Sequence, residues 1–252
     1  MVRFQNFSAR LLRSVPLSEF TKHIEFEVGG VHRFDFVAGQ WLSVKASTPE
    51  GEEITRAYSI ASAPSENGRF AFCLNRVQDG FMSNHLCNLD EGAEISFQGP
   101  FGDFILRPPL QDTLMIATGT GIAPFRSMLE GLFESGHAGA RAAGRTEAPG
   151  APPAQFWLLF GARYEQDIYY REEFERLASS RSNFHFLPTL SRGGAEWRGL
   201  RGYVQEHAKG IVGGRTDMQA YICGLDRMVS ANRESLKSLG WDRKSIRYEK
   251  YD

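Results

Sequence analysis

The sequence predicts a β + α/β fold, an N-terminal antiparallel β-barrel followed by a doubly wound parallel-sheet domain. Two observations carry this. The first hundred or so residues hold short, partly alternating apolar runs separated by turn residues, as many short strands would. After Arg107-Pro108-Pro109 the pattern changes to apolar strand-like runs that alternate with helical spacing.

In the first part, Thr21 to Val28 alternates in part, and Trp41 to Lys45 reads as a half-buried strand. Phe70, Phe72 and Leu74 share one face of another strand, and Ile95 and Phe97 share one face of a third. Gly29-Gly30, Pro49-Glu50-Gly51 and Asn67-Gly68 read as turns. In the second part, Thr113 to Thr118 is a short buried strand. Ile122, Phe125, Leu129, Leu132 and Phe133 follow at helical spacing. Phe156 to Phe160 is the next strand, and a helix runs through Phe174 and Leu177. Phe184 to Leu187, Tyr221 to Cys223 and Ile246 to Glu249 complete the parallel set, with a helix from Leu225 to Leu239 between the last two. The expected domains are 1–107 and 112–252. Gly136 to Ala154 is rich in glycine, alanine and proline without apolar periodicity, and is expected to be a flexible surface insertion.

Composition narrows the function classes. The chain has 252 residues, 42% hydrophobic and 23% charged, which is a globular balance. Its 29 basic residues face 30 acidic ones, so bulk charge makes no case for nucleic acid or a membrane surface. The cysteines Cys73, Cys87 and Cys223 are too few and too scattered for a disulfide framework or a four-thiolate iron–sulfur cluster. No apolar run has membrane-spanning length and the first residues lack a signal-peptide core, so a cytoplasmic location is expected. The histidines show no metal-ligand spacing, and no Gly-x-Ser-x-Gly elbow is present.

Two segments can carry chemistry. Gly119-Thr120-Gly121-Ile122-Ala123-Pro124-Phe125 follows a strand and opens a helix. Glycines there let the backbone approach a pyrophosphate, and a helix start favours negative charge. The third glycine and the later ribose acid of the usual dinucleotide fingerprint are absent, so an ordinary strand-to-helix turn has the same look. In Arg56-Ala57-Tyr58-Ser59, Arg56 and Tyr58 point the same way on a strand. Tyr58 can stack on a flat ring while Arg56 pairs with a phosphate. Ser59 faces the other way and can bond a ring edge. An edge strand with a surface arginine and a half-buried tyrosine has the same pattern.

In order and spacing these segments resemble the ferredoxin–NADP reductase family, over nearly the whole chain. Arg56-Ala57-Tyr58-Ser59 resembles its Arg-x-Tyr-Ser flavin motif. Gly80-Phe81-Met82-Ser83, after a strand ending Asn75-Arg76-Val77, resembles its second flavin-phosphate segment. Gly99-Pro100-Phe101-Gly102 resembles the turn closing its barrel, and Gly119 to Pro124 its nicotinamide nucleotide motif. Cys223-Gly224 and Glu249-Lys250-Tyr251 resemble its Cys-Gly pair and its acidic, aromatic C-terminus, although here Asp252 follows the tyrosine.

The resemblance implies FAD in the barrel, with Tyr58 against the isoalloxazine and Ser59 bonded at flavin N5. Arg56 would neutralise the pyrophosphate, helped by backbone groups near Ser83, in a site shared with Ala57, Asn75, Val77, Gly80, Phe81 and Met82. The nicotinamide nucleotide's pyrophosphate would sit on Gly119 to Ala123, including Thr120 and Gly121 and flanked by Thr118 and Pro124. Cys223 would lie beside the reacting nicotinamide carbon. Glu249 would be a nearby acid linked to Ser59 in proton traffic, and Tyr251 would stack on the flavin and yield to nicotinamide.

Ser191 and Arg192 stand where the family's adenosine end binds. A hydroxyl and a guanidinium there suit a 2′-phosphate, with Arg198 and Arg201 adding charge, so NADP(H) is favoured over NAD(H). A solvated basic loop has the same composition. Trp197-Arg198-Gly199 and Gly202-Tyr203-Val204 also resemble NAD-using oxygenase reductases. The implied function is FAD-dependent electron transfer between NADPH and a one-electron carrier such as ferredoxin or flavodoxin. The alternatives are an oxygenase reductase component or free-flavin reductase, and a non-catalytic flavin-binding electron-transfer or sensor subunit.

Overall fold

The structure, a computed structural model, describes residues 5–133 and 153–251. The expected insertion from Gly136 to Ala154 lies outside the described residues except for its last two positions. The described residues form two compact units. One comprises residues 5–106 with 123–133, the other 107–122 with 153–251.

The first unit is a six-stranded antiparallel sheet. Its strands are β1 (Asn6–Pro16), β2 (Thr21–Val28), β3 (Trp41–Ser47), β4 (Glu53–Ser59), β5 (Arg69–Asn75) and β6 (Glu94–Phe101), in the order β4-β3-β6-β1-β2-β5. An antiparallel bridge between Ile60 and Phe72 joins the chain beyond β4 to β5, which closes the sheet into a barrel. Alternation places Ile24, Phe26, Leu42, Phe70, Phe72 and Phe97 inside, all fully buried. Register sets Phe26 opposite Phe70 and Ile24 opposite Phe72, so large side chains meet across neighbouring strands. Each such burial is worth about 1.5–3 kcal/mol, and this cluster is what holds the barrel. Helix α1 (Phe81–Cys87) adds Met82, Leu86 and Cys87 to the same core. The expected turns form, with Gly30, Gly51 and Gly68 all at positive φ.

Helix α2 (Ala123–Phe133) belongs to this unit although it follows the glycine turn in sequence. Arg126 donates to the Ala61 carbonyl at 2.7 Å and pairs with Glu130. Glu130 accepts the Ala63 N–H at 2.8 Å, and Ser127 donates to the Ser62 carbonyl at 2.6 Å. One polar helix face thus satisfies the backbone of Ala61-Ser62-Ala63, the segment just after β4. A single cut near residue 107 differs from the two units in this helix.

The second unit is a six-stranded parallel sheet. It contains β7 (Thr113–Thr118), β8 (Phe156–Ala162), β9 (Phe184–Leu190), β10 (Leu200–Arg201), β11 (Gln219–Leu225) and β12 (Ile246–Tyr251), in the order β10-β9-β8-β7-β11-β12. Helices α3 (Arg171–Ser180), α4 (Val204–Val212) and α5 (Asp226–Ser238) connect them. Leu114, Met115, Ile116 and Ala117 are all fully buried, because a central parallel strand is covered on both faces. From β7 the chain steps outward through β8 and β9, then returns to place β11 on the other side of β7. The strand order therefore reverses between β7 and β11, the place where doubly wound sheets bind ligands. Among the described residues no helix is long and apolar enough to cross a membrane.

His23 on β2 sits opposite Cys73 and is 8% exposed. Burial first, then the positive charges of Arg126 and Arg13, lower its pKa from the ordinary 6.5 to about 4. A depressed histidine contributes stability that is fully present above pH 6.5 and is lost as pH falls through the folded value. We expect the unfolding free energy to fall between pH 6.5 and pH 4 by roughly 3 kcal/mol more in wild type than in His23→Gln, measured by urea denaturation.

Candidate functional site

In the first unit the expected residues gather on β4 and α1. β4 ends the strand order and pairs along its length only with β3, Val44 opposite Arg56 and Leu42 opposite Tyr58. This leaves Thr55, Arg56 and Ala57 exposed, while Tyr58 is half-buried and Ser59 buried. The Tyr58 ring rests on Phe72 at 5.4 Å between centroids, tilted by 41°. Burial, with Cys87 close by, raises its hydroxyl pKa to about 12, and the nearby Arg56 charge opposes the rise. Tyr58 is thus an uncharged phenol on a rigid base. Arg56 donates to the Thr55 carbonyl at 2.8 Å and makes no ion pair with a described residue. A guanidinium left without a counter-ion beside an aromatic ring suits a ligand that joins a flat ring to a phosphate.

The loop before α1 is tied down by its own side chains. The Ser83 hydroxyl accepts the Val77 N–H at 3.0 Å and donates to the Gly80 carbonyl at 3.1 Å. Asn84 donates to the Val77 and Gly80 carbonyls at 2.8 and 2.9 Å. Gly80 has no room for a side chain, since a Cβ would lie 2.8 Å from the Ser83 hydroxyl. No side chain caps α1, and its first N–H groups, on Phe81, Met82 and Ser83, have no helical acceptor. These backbone donors are what the segment can offer a phosphate. The Ser83 hydroxyl is already engaged, the Met82 side chain is core, and Asn75 accepts from Thr21 at 3.0 Å. Val77 is 55% exposed, and Phe81 stacks on His85. The residues present therefore fit FAD, with backbone donors near Ser83 beside the Arg56 guanidinium.

In the second unit the expected residues meet where the strand order reverses. β7 runs into a short 3₁₀ turn, Gly119–Ile122, with Gly119 at φ 55°. A Cβ on Gly121 would lie 2.3 Å from the Cys223 carbonyl oxygen. A Cβ on Gly224, at φ 145°, would lie 2.5 Å from the Thr118 hydroxyl. The turn after β7 thus lies on the backbone end of β11 at Gly121, and Gly224 packs against the Thr118 side chain. Gly119 and Thr120 stay partly accessible, and the Thr118 hydroxyl is buried without a hydrogen-bond partner. Accessible turn backbone beside an orphaned hydroxyl at a switch point suits a nucleotide pyrophosphate.

Parallel pairing brings the remaining expected residues together, Cys223 opposite Ala117 on one side and Glu249 on the other, and Leu225 opposite Tyr251. Cys223 is fully buried. Burial, then the charge of Glu249, pushes its thiol well above the ordinary range, against a smaller opposing hydrogen bond from Tyr251. Cys223 is accordingly a neutral thiol and not a nucleophile at neutral pH. Glu249 and Tyr251 are half-buried, while Lys250 pairs with Asp226.

At the far end of the sheet, Ser191 and Arg192 are exposed directly after β9. Arg198 is also exposed and lies 3.7 Å from Glu196. Arg201 is exposed and is tied to its own loop. It donates to the carbonyls of Gly193, Gly194 and Trp197 at 2.7 to 2.8 Å, which holds the loop while its positive charge stays uncompensated by those neutral acceptors.

The chain matches the oxidoreductase FAD-binding domain family over residues 8–105 and the oxidoreductase NAD-binding domain family over residues 115–234. It is 41% identical to ferredoxin–NADP reductase B of Sorangium cellulosum, covering all of both chains. It is 29% identical to the toluate 1,2-dioxygenase electron transfer component of Pseudomonas putida, over 97% of this chain and 67% of that protein. In fold it resembles a ferredoxin NADP+ reductase from Neisseria gonorrhoeae crystallised with FAD and NADP, with TM-score 0.78 at 22% identity, covering 98% of this chain and 99% of that one.

The two glycines of the turn should respond differently to a methyl group. Gly119→Ala meets no atom within 4 Å and bears only the left-handed backbone cost, about 1–2 kcal/mol. Gly121→Ala must push the turn off the end of β11 and should lose at least about 3 kcal/mol. Urea denaturation of both variants gives the order directly; equal losses would contradict the close approach.

Proposed function

The chain belongs to the ferredoxin–NADP reductase family, and on that premise we propose that it moves electrons between NADPH and a one-electron carrier protein through FAD. We assign the FAD domain to residues 1–107 and the nucleotide domain to residues 112–252, with α2 grouped with the former. The observation that carries the reading is that one chain holds both an uncompensated Arg56 beside Tyr58 and a glycine-locked turn at a parallel-sheet switch point.

Arg56 neutralises the FAD pyrophosphate together with the N–H groups of Phe81, Met82 and Ser83. Tyr58, held by Phe72, supports the isoalloxazine as an uncharged ring. Ser59 hydrogen-bonds at N5. FAD, when bound, accepts a hydride as an electron pair and releases the electrons singly, which nicotinamide does not readily do. Gly119 to Ala123 cradle the nucleotide pyrophosphate, with Thr118 and Pro124 beside them. Cys223 borders the reacting nicotinamide carbon as a neutral thiol, so it places no negative charge against the ring. Glu249 is the acid beside it, and Tyr251, bonded to Cys223, gives way as nicotinamide enters.

Ser191 and Arg192, with Arg198 near them, favour a nucleotide bearing a 2′-phosphate, and hence NADPH. A ferredoxin or flavodoxin is the carrier we favour, because the relative called a ferredoxin–NADP reductase matches from end to end, whereas the oxygenase component is a longer protein at lower identity. A cytoplasmic location is part of the same proposal.

The test is turnover of the FAD-reconstituted protein with NADPH and three acceptors, a ferredoxin, a flavodoxin and free riboflavin. We expect rapid reduction of at least one protein carrier and little of riboflavin. Fast riboflavin reduction with no reaction at either carrier would favour a free-flavin reductase and overturn the proposal.

A further inference from the structure

Two loops meet beside the expected adenosine end of the nucleotide site. One follows β8 through Ala162, Arg163 and Tyr164; the other follows β9 through Ser191 and Arg192. The hydrogen-bond ladder continues beyond the strands, with the Ser191 N–H donating to the Ala162 carbonyl at 3.1 Å and the Arg192 N–H to the Arg163 carbonyl at 2.9 Å. Tyr164 is fixed a second time. Its N–H donates to the Asp167 carboxylate at 3.3 Å, and its carbonyl accepts the Asp167 N–H at 3.0 Å. Both backbones are therefore tied by hydrogen bonds, and Tyr164 is 40% exposed.

The Tyr164 ring has one evident partner. Arg192 Nη1 donates to the Tyr164 hydroxyl at 3.3 Å, and the guanidinium carbon stands 6.0 Å from the ring centroid. Arg192 makes no ion pair with a described residue, and Arg201 is engaged by three carbonyls of its own loop. An acidic partner would hold Arg192 but cancel its charge. A phenol holds it and leaves the charge intact, and only one of five guanidinium N–H donors is used. A long side chain otherwise loses rotamer freedom when it closes on a phosphate, and restraint before binding removes part of that cost.

We propose that Tyr164 is a positioning residue that holds Arg192 ready for the 2′-phosphate of the nucleotide and so sets the preference for NADPH over NADH. This rests on Ser191 and Arg192 being the 2′-phosphate subsite. The role does not extend to the electron-transfer chemistry, because Tyr164 acts only through Arg192.

The experiment uses the full FAD-loaded chain with ferricyanide as acceptor. It measures kcat and KM for NADPH and NADH, and inhibition by 2′,5′-ADP and 5′-AMP. For Tyr164→Phe we expect KM for NADPH and the inhibition constant for 2′,5′-ADP to rise about fivefold, the size of one modest hydrogen bond. kcat and all NADH and 5′-AMP values should stay at wild-type levels, which a merely structural defect would not allow. Arg192→Ala should erase the preference for 2′,5′-ADP over 5′-AMP. If Arg192→Ala erases it and Tyr164→Phe changes nothing, the positioning role is overturned while the subsite stands. If wild type binds 2′,5′-ADP no better than 5′-AMP, the subsite reading itself fails, and the proposal with it.

Discussion

The backbone contact between the ends of β7 and β11 is the constraint on which the nucleotide half of the molecule depends. Gly121 lies against the Cys223 carbonyl, and Gly224 against the Thr118 hydroxyl, at distances that exclude any Cβ. No side-chain interaction can substitute for the approach at Gly121, since any larger residue there must push the turn off the end of β11. The contact fixes where the sheet reverses its order and leaves Gly119 and Thr120 partly accessible there. The same strand ends hold Cys223 between Ala117 and Glu249. Fold and candidate site are here the same set of atoms.

The barrel reaches its own half-site by a different route. Its aromatic core provides stability with side chains that point inward, and Phe72 carries Tyr58 at the rim. The polar residues then divide by what they bond. Arg126, Ser83 and Arg201 are engaged with backbone carbonyls and act as structural ties. Arg56 and Arg192 form no ion pair with a described residue, and the Thr118 hydroxyl is buried without a partner. Ser14, Asn232 and Trp241 also bury a polar atom without a partner, so what marks Thr118 is its position at the switch point beside accessible turn backbone.

Much of this was legible in the sequence, for physical reasons. Thr113 to Thr118 is an unbroken apolar run because both faces of a central parallel strand are covered, and Phe70, Phe72 and Leu74 share the barrel-core face of β5, whose other face is buried as well at Ala71 and Cys73. The segments Arg56 to Ser59 and Gly119 to Pro124 stood out through order and spacing. Other features were not legible. Helix α2 packs on the barrel through Arg126, Ser127 and Glu130, and spacing does not reveal which carbonyls a polar helix face will reach. Arg201 read as one more surface charge, yet it holds three carbonyls. The complete burial of Cys223 depends on tertiary neighbours. Tyr164 carried no signal beyond its place just after an apolar strand.

The central claim is that the barrel residues hold a flavin which the nucleotide residues can bring to reaction. The direct measurement is anaerobic mixing of FAD-loaded protein with one equivalent of NADPH, following the flavin absorbance with no acceptor present. Bleaching of the oxidised flavin band within the dead time or the first seconds is the predicted result. A flavin that stays bound and oxidised after complete mixing with NADPH, and with NADH in parallel, would contradict it.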